Sequence, residues 1–419
     1  MKVSARSQVP PFAVMDIIAE ANRRKAAGES IINLCAGEPA TGASDVVRER
    51  AIELLSTENL GYTEALGVPA LRQEIAAHYK RWYDVDVDPA QVAITTGSSG
   101  GFVLAFLAAF DPGDRVALAR PGYPAYKNIL VSLGIEVVEL NCGPETRYQP
   151  TISQLQEAYY NGGLDGLIVA SPANPTGTML TGRELDALAQ WCADYDVRFI
   201  SDEIYHGITY PTENGAEGSE SRSGSDGGDS AQVAQANGQP AREMGLATAA
   251  RHVGTGAIVV NSFSKYWAMT GWRLGWLLLP QDLIAPADAL AGNVSLCPPA
   301  LSQYAGIAAF SERGYAAARQ DAMRYRASRQ VVLSALERLG WTRVAPADGA
   351  FYVYANISGS GLDSRTWCAR LLDEAGVAMT PGSDFDSVAG DEWVRLSFAS
   401  DEASVAEAME RTITWQQSV

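Results

Sequence analysis

Four stretches of the chain place reactive side chains directly after short apolar runs. The run 257–261 (AIVVN) leads into Ser262, Ser264 and Lys265. A lysine at the end of a buried run, among small hydroxyls, can lose its charge and act as a nucleophilic amine. Arg273 follows eight residues later, with a guanidinium fork suited to a phosphate. The run 197–200 (VRFI) leads into Ser201-Asp202-Glu203-Ile204-Tyr205. A carboxylate at that place stays buried only against a positive or proton-bearing partner. The phenol of Tyr205 can donate a hydrogen bond. The run 166–170 (GLIVA) is followed by SPANPTG, residues 171–177, in which two prolines and a glycine fix a loop that presents the Asn174 amide. The run 91–95 (QVAIT) passes through Gly97-Ser98-Ser99-Gly100-Gly101 into a helical stretch at 102–110. A strand, a Gly/Ser turn and a helix start gather free N–H groups and hydroxyls that suit an anion. Taken singly, each stretch also has a plain structural reading: a strand-to-helix turn, a rigid proline turn, a loop acid, or a snorkelling lysine beside a surface arginine.

The elements that must position these groups alternate between strand and helix. Amphipathic patterns predict helices over 13–27, ended by Gly28, and over 45–56 and 69–83. Strand-like runs also fall at 115–119 and 136–140, with helical stretches between most neighbours. Thr181 and Glu184 have the spacing of a capping box that opens the next helix. This order predicts an α/β fold with a mainly parallel sheet between helices, whose ligands bind beyond the carboxyl ends of the strands. After residue 300 the texture changes to a long helix at 314–339, strands within 341–357 and 393–399, and a helix at 364–375, the pattern of a smaller α+β domain. The expected division is a large domain over 46–300 and a small domain from 1–45 and 301–419, including a long interdomain helix. Thr212 to Pro240 is a low-complexity insertion, read either as a disordered surface loop or as a lid.

All four stretches therefore fall along one edge of one sheet. Together they offer an anion cradle, a carbonyl-reactive amine, a carboxylate, a phenol, an amide and a guanidinium. Pyridoxal 5'-phosphate needs this set: a lysine for its aldehyde, a carboxylate for its pyridine nitrogen, donors for its phenolic oxygen, and a helix start with an arginine for its phosphate.

In combination and in order, Cys35-Ala36-Gly37-Glu38-Pro39, Gly61-Tyr62, SPANPTG, SDEIY and SFSKYWAMTGWRLGW resemble the fold-type I pyridoxal-phosphate enzymes of the class I/II aminotransferase family, the aspartate aminotransferase superfamily. The resemblance covers nearly the whole chain. It implies that Lys265 forms the Schiff base and shuttles the proton, and that Asp202 pairs with the pyridine N–H. By the same resemblance Tyr205 and Asn174 bond the phenolic oxygen, Tyr123 stacks on the ring, and Ser98, Ser99, Ser262, Ser264 and Arg273 surround the phosphate. It further implies that Arg395 clamps the substrate α-carboxylate and that Gly37 lies against the substrate. Tyr62 would reach the phosphate of a neighbouring subunit, which implies a homodimer with shared active sites. The activity implied is amino transfer between an L-amino acid and a 2-oxo acid, the EC 2.6.1.- class. A β/γ-lyase or a cyclising synthase uses the same early chemistry and stays open. Two departures stand out. The 212–240 insertion is longer than the family's usual connection. Some relatives that accept dicarboxylates carry a lysine where this chain has Ser98-Ser99-Gly100, which tilts the expectation towards neutral or aromatic donors.

Composition narrows the alternatives. With 32 Lys and Arg against 49 Asp and Glu, the 419-residue chain carries a net charge of −17, which disfavours nucleic acid as a partner. The family resemblance begins near the N-terminus, leaving no room for the DNA-binding module of a cofactor-sensing regulator. No GxGxxG follows a strand, against a nicotinamide enzyme. Five scattered cysteines and three histidines give neither a disulfide framework nor a metal site, and no signal peptide or membrane span is visible. The expected location is the cytoplasm.

Overall fold

The computed structural model describes residues 1–210 and 244–418; the expectations for the 212–240 segment lie outside the described residues. The first half of the chain runs α1 (Ala13–Ala26), β1 (Ile32–Asn33), α2 (Asp45–Thr57), α3 (Pro69–Tyr83), β2 (Val92–Thr95), α4 (Gly97–Ala109), β3 (Arg115–Arg120), α5 (Pro124–Leu133), β4 (Glu136–Asn141), α6 (Ile152–Tyr160), β5 (Gly166–Ala170), α7 (Gly182–Asp194) and β6 (Arg198–Asp202). The second half runs β7 (Ile258–Ser262), β8 (Gly275–Leu278), α8 (Gln281–Val294), α9 (Ala300–Gly306), α10 (Glu312–Ala335), β9 (Tyr352–Asn356), α11 (Ser364–Ala375), β10 (Val377–Ala378), β11 (Thr380–Pro381), β12 (Trp393–Ser397) and α12 (Glu402–Gln416).

Seven strands form one sheet in the order β2-β8-β7-β6-β5-β3-β4. Only β8 runs against the others, so β2, β5, β6 and β7 all end on the same edge. The fold is α/β with a mainly parallel sheet between helices, as the alternation of elements predicts. The strands are buried on both faces, which explains their unbroken Val, Ile and Leu content. Alternate residues feed two cores. Ile168, Ile200, Val260 and Leu277 pack with Phe102 and Phe106 of α4, while Leu167, Phe199, Val259 and Leu278 face the opposite side. Thr181 and Glu184 exchange both bonds of the predicted capping box at the start of α7.

Two smaller sheets stand apart. β11, β12 and β9 are antiparallel, and β1 pairs with β10 in parallel. Three expectations shift. The glycine-serine turn at 97–101 is already the first turn of α4, so Ser98 and Ser99 are helical. The long helix spans 312–335, not 314–339. Of residues 341–357 only Tyr352–Asn356 is strand. Pro346 has no N–H to give a ladder, and the chain turns back through Ala350 at φ 56°, leaving isolated bridges from Val344 to Ala355 and from Gly349 to Thr209.

Candidate active site

Beyond the shared strand edge lies a cavity of about 560 Å³. It brings together eleven of the thirteen site residues expected from sequence. Gly37, Ser98, Ser99, Tyr123, Asn174 and Asp202 line it, as do Tyr205, Ser264, Lys265, Arg273 and Arg395. Ser262 is fully buried beneath it, its hydroxyl 2.7 Å from that of Ser264 and accepting the Ser264 amide at 2.9 Å. Tyr62 lies outside. It is 86% exposed and borders a separate surface hollow with Thr96, Cys297 and Pro298.

Lys265 leaves the end of β7 and donates from Nζ to the Gly37 carbonyl at 2.6 Å. Burial lowers its pKa to about 8, aided by the positive charges of Arg395 and Arg273 and opposed by Glu38 and Asp202. Asp202 ends β6, the neighbouring strand. Burial pushes its carboxyl up to about 6, against the hydrogen bonds from the Tyr126 hydroxyl and the Ile204 amide and the charge of Lys265. A carboxylate so poised ionises fully once a cationic N–H stands beside it.

The end of the cavity expected to take a phosphate has the features of an anion site. α4 has no side-chain cap, so its first amides are free to donate. Gly97 sits at φ +67°, and a Cβ there would meet the Arg273 guanidinium at 2.5 Å. A Cβ on Gly275 would meet Gly97 C at 2.8 Å and Ser98 N at 2.9 Å. Only glycines let the guanidinium, the strand and the helix start converge on one point.

The carboxylate end is built around Arg395, which is 5% exposed. Its Nη1 donates to Asn174 Oδ1 at 2.9 Å, and its Nη2 donates to the Cys35 carbonyl at 2.6 Å and to Thr380 Oγ1 at 3.1 Å. Its Nε is buried without a partner. The guanidinium lies 4.6 Å from the Tyr352 ring centre and 4.7 Å from that of Phe385. A buried donor left free, aimed by stacking rings, suits a carboxylate ligand.

Several residues at the site lie outside the motifs singled out from sequence. Tyr126 donates to Asp202, and the Tyr205 hydroxyl pairs with that of Tyr352 at 2.7 Å. Tyr126 stands three residues after Tyr123 at the start of α5, a helical spacing that would have put both on one face. Thr270 donates to Glu38 across the mouth. His206 donates from Nε2 to the Ser171 carbonyl at 3.0 Å and accepts from the Tyr83 hydroxyl at 2.6 Å. It thereby ties the proline loop to the Asp202 turn. Burial lowers its pKa to about 3 and raises that of neighbouring Glu203 to about 8, so their 3.4 Å approach is not an ion pair at neutral pH. α1 adds Val14, Met15 and Ile18 to the lining.

A sheet edge carrying an amine, an acid and an anion cradle is the site of a fold-type I enzyme. The sequence profile of the family Aminotransferase class I and II matches residues 29–411. The chain is 47% identical over 418 residues to the valine–pyruvate aminotransferase of Mycobacterium tuberculosis, covering 100% of this chain and 99% of that one. It is 30% identical over 403 residues to the aspartate/prephenate aminotransferase of Thermus thermophilus, covering 96% and 95%. Among solved structures, an aminotransferase from M. tuberculosis superposes with a TM-score of 0.88 at 47% identity over the full length of both chains. Aspartate aminotransferase from T. thermophilus with maleate superposes with a TM-score of 0.86 at 29% identity over 99% of both. The chain belongs to the class I and II aminotransferase family, and it is an enzyme of amino-group transfer.

Among the described residues no helix is long and apolar enough to cross a membrane, and no group of three or more acidic, His or Cys side chains could hold a metal.

Proposed function

We propose that this cavity binds pyridoxal 5'-phosphate and that the enzyme moves the amino group of an uncharged, apolar L-amino acid to a 2-oxo acid. The convergence of Lys265, Asp202 and the Gly97–Arg273 cradle along one edge carries the reading. When bound, pyridoxal phosphate supplies the aldehyde that takes up the amino group and a ring that draws electrons from Cα. Lys265 is the base that would take the Cα proton and deliver it to the former aldehyde carbon. Its lowered pKa keeps part of the amine neutral near physiological pH. Asp202, itself fixed by Tyr126, holds a proton on the ring nitrogen. Tyr205 and Asn174 bond the phenolic oxygen and Tyr123 faces the ring. Ser98, Ser99, Ser264 and Arg273 hold the phosphate, with Ser262 supporting Ser264 from below. Arg395 and Asn174 orient the substrate carboxylate against Gly37.

Among the described residues, Lys265, Arg273 and Arg395 are the cations of the cavity. Each has a role, so the described lining from this chain offers no further cation for a second carboxylate on the donor. The similarity to a valine–pyruvate aminotransferase supports valine as donor and pyruvate as acceptor. The exposure of Tyr62 supports a homodimer in which that phenol serves the partner's phosphate site. The separation of the seven-stranded sheet from the small sheets supports a large lobe over 46–300 and a small lobe from 1–45 and 301–419. Five free thiols support a reducing, cytoplasmic setting.

A half-reaction screen tests the reading. Each amino acid is mixed alone with the cofactor-loaded enzyme and the absorption spectrum is followed. Stoichiometric conversion to the pyridoxamine form by valine, with one equivalent of 2-oxo acid released, is expected. Multiple turnovers with release of ammonia would instead mean elimination.

A further inference from the structure

Helix α1 begins without a cap of its own. Its N-cap residue is Phe12, whose side chain cannot accept from the first amides, and an uncapped start leaves those amides unpaired. The Asp384 carboxylate, 370 residues beyond Val14, fills the gap. Its Oδ1 accepts from Ala13 N at 3.2 Å and its Oδ2 from Val14 N at 2.9 Å. A charged acceptor on a helix start is also favoured by the helix dipole.

Asp384 stands in a short turn between Pro381, which pairs with Val394 beside Arg395, and Phe385, whose ring lies on the Arg395 guanidinium. The group that caps α1 thus belongs to the same rigid turn that aims Arg395. Just before α1, Phe12 stacks on Tyr123 with centroids 6.5 Å apart. Just after its first turn, Ile17 and Ile18 pack with Val14 on Ile31, Cys35 and Ala378. The chain therefore passes at residues 12–13 from packing on Tyr123 to packing on Ile31, Cys35 and Ala378, and the carboxylate fixes that passage.

We infer that Asp384 is a positioning residue for donor selection: it clasps α1 so that Val14, Met15 and Ile18 form the apolar wall met by the donor side chain. The inference rests on the reading that Arg395 holds the donor carboxylate. An amino acid so held, with Cα beside Lys265, has its side chain free to meet the rest of the lining, and α1 supplies three apolar members of it. Alanine is too short to use such a wall, and a branched aliphatic side chain is not.

The test uses full-length holoenzyme. Asp384→Ala is expected to raise the KM for valine about tenfold, leave the KM for alanine within about twofold, and leave kcat for both unchanged, the size of a lost helix cap. Amide hydrogen exchange over residues 13–18 should accelerate in the same variant without substrate. Asp384→Asn keeps one acceptor oxygen of the two and should restore both readouts in part. Ile18→Ala, which keeps the clasp, should raise the valine KM alone. Equal KM increases for valine and alanine, unchanged exchange, or an Ile18→Ala enzyme with wild-type KM for valine would overturn the inference while leaving the functional reading intact. Wild-type enzyme that converts neither donor would overturn the functional reading itself.

Discussion

Lys265 and Asp202 stand at the ends of adjacent strands of one sheet, each inside a short contiguous motif. Arg395 is assembled differently. It meets Asn174 and Cys35 from distant parts of the chain and Thr380 from the neighbouring strand, between rings at 352 and 385. The first end of the cavity is fixed by strand register, the second by packing between separate layers. The difference teaches where chemistry and selectivity reside. Damage at the sheet edge should lower turnover of every donor alike, whereas damage at the layered end should weaken donor binding, for all donors at Arg395 itself and for one donor over another at the α1 wall.

The largest expected effect tests the sheet edge. Lys265→Ala should lose amino transfer by about 10³-fold or more for every donor, since both the reactive amine and the proton carrier are gone. Single-turnover kinetics with several amino acids check this, and a donor-selective loss would break the contrast. Next comes the layered end. Arg395→Ala should raise the KM of all α-amino acids by about 10- to 100-fold, the loss of a charge-assisted bond in a buried place, while the cofactor's absorption stays unchanged.

Tyr126→Phe sharpens the comparison further. It removes the hydroxyl that stabilises the Asp202 carboxylate, so the carboxyl should titrate above its present value of about 6 in the cofactor-free protein. In the loaded enzyme kcat should fall about fivefold with little change in KM, the loss of one neutral-to-charged hydrogen bond. Its pH–rate profile should lose its acid side at higher pH than wild type, and an unchanged profile would deny Tyr126 this role.

The last effect is on stability and leaves turnover aside. Burial holds Lys265 near 8, below its ordinary 10.5, so between those values the unfolded chain binds the proton that the native one has released. In the cofactor-free protein this group makes stability rise with pH across that window, by up to about 1 kcal/mol per pH unit, and contributes no slope below it. Urea unfolding of wild type and Lys265→Met from pH 7 to 10 should differ by that rise, and parallel curves would contradict it.

The same contrast explains what the sequence reveals. The sheet strands are legible because runs such as IVVNS are short, β-branched and bounded by turn residues. The motif residues follow them directly, so placing the strands places the chemistry. Tyr126 and Asp202 lie 76 residues apart, and Asp384 and Val14 lie 370 apart. No periodicity or spacing couples such pairs; only the completed packing does. The misread stretch at 341–351 has the same origin. Its apolar residues are buried, and Pro346, which has no N–H, leaves only an isolated bridge from Val344 to β9.

The central claim is that Lys265 is the residue that carries the cofactor. Protein loaded with pyridoxal phosphate, reduced with borohydride, digested and mapped by mass spectrometry tests it most directly. A single labelled peptide containing Lys265 is the predicted result. Label on any other lysine, or no label in protein that still transfers amino groups, would contradict it.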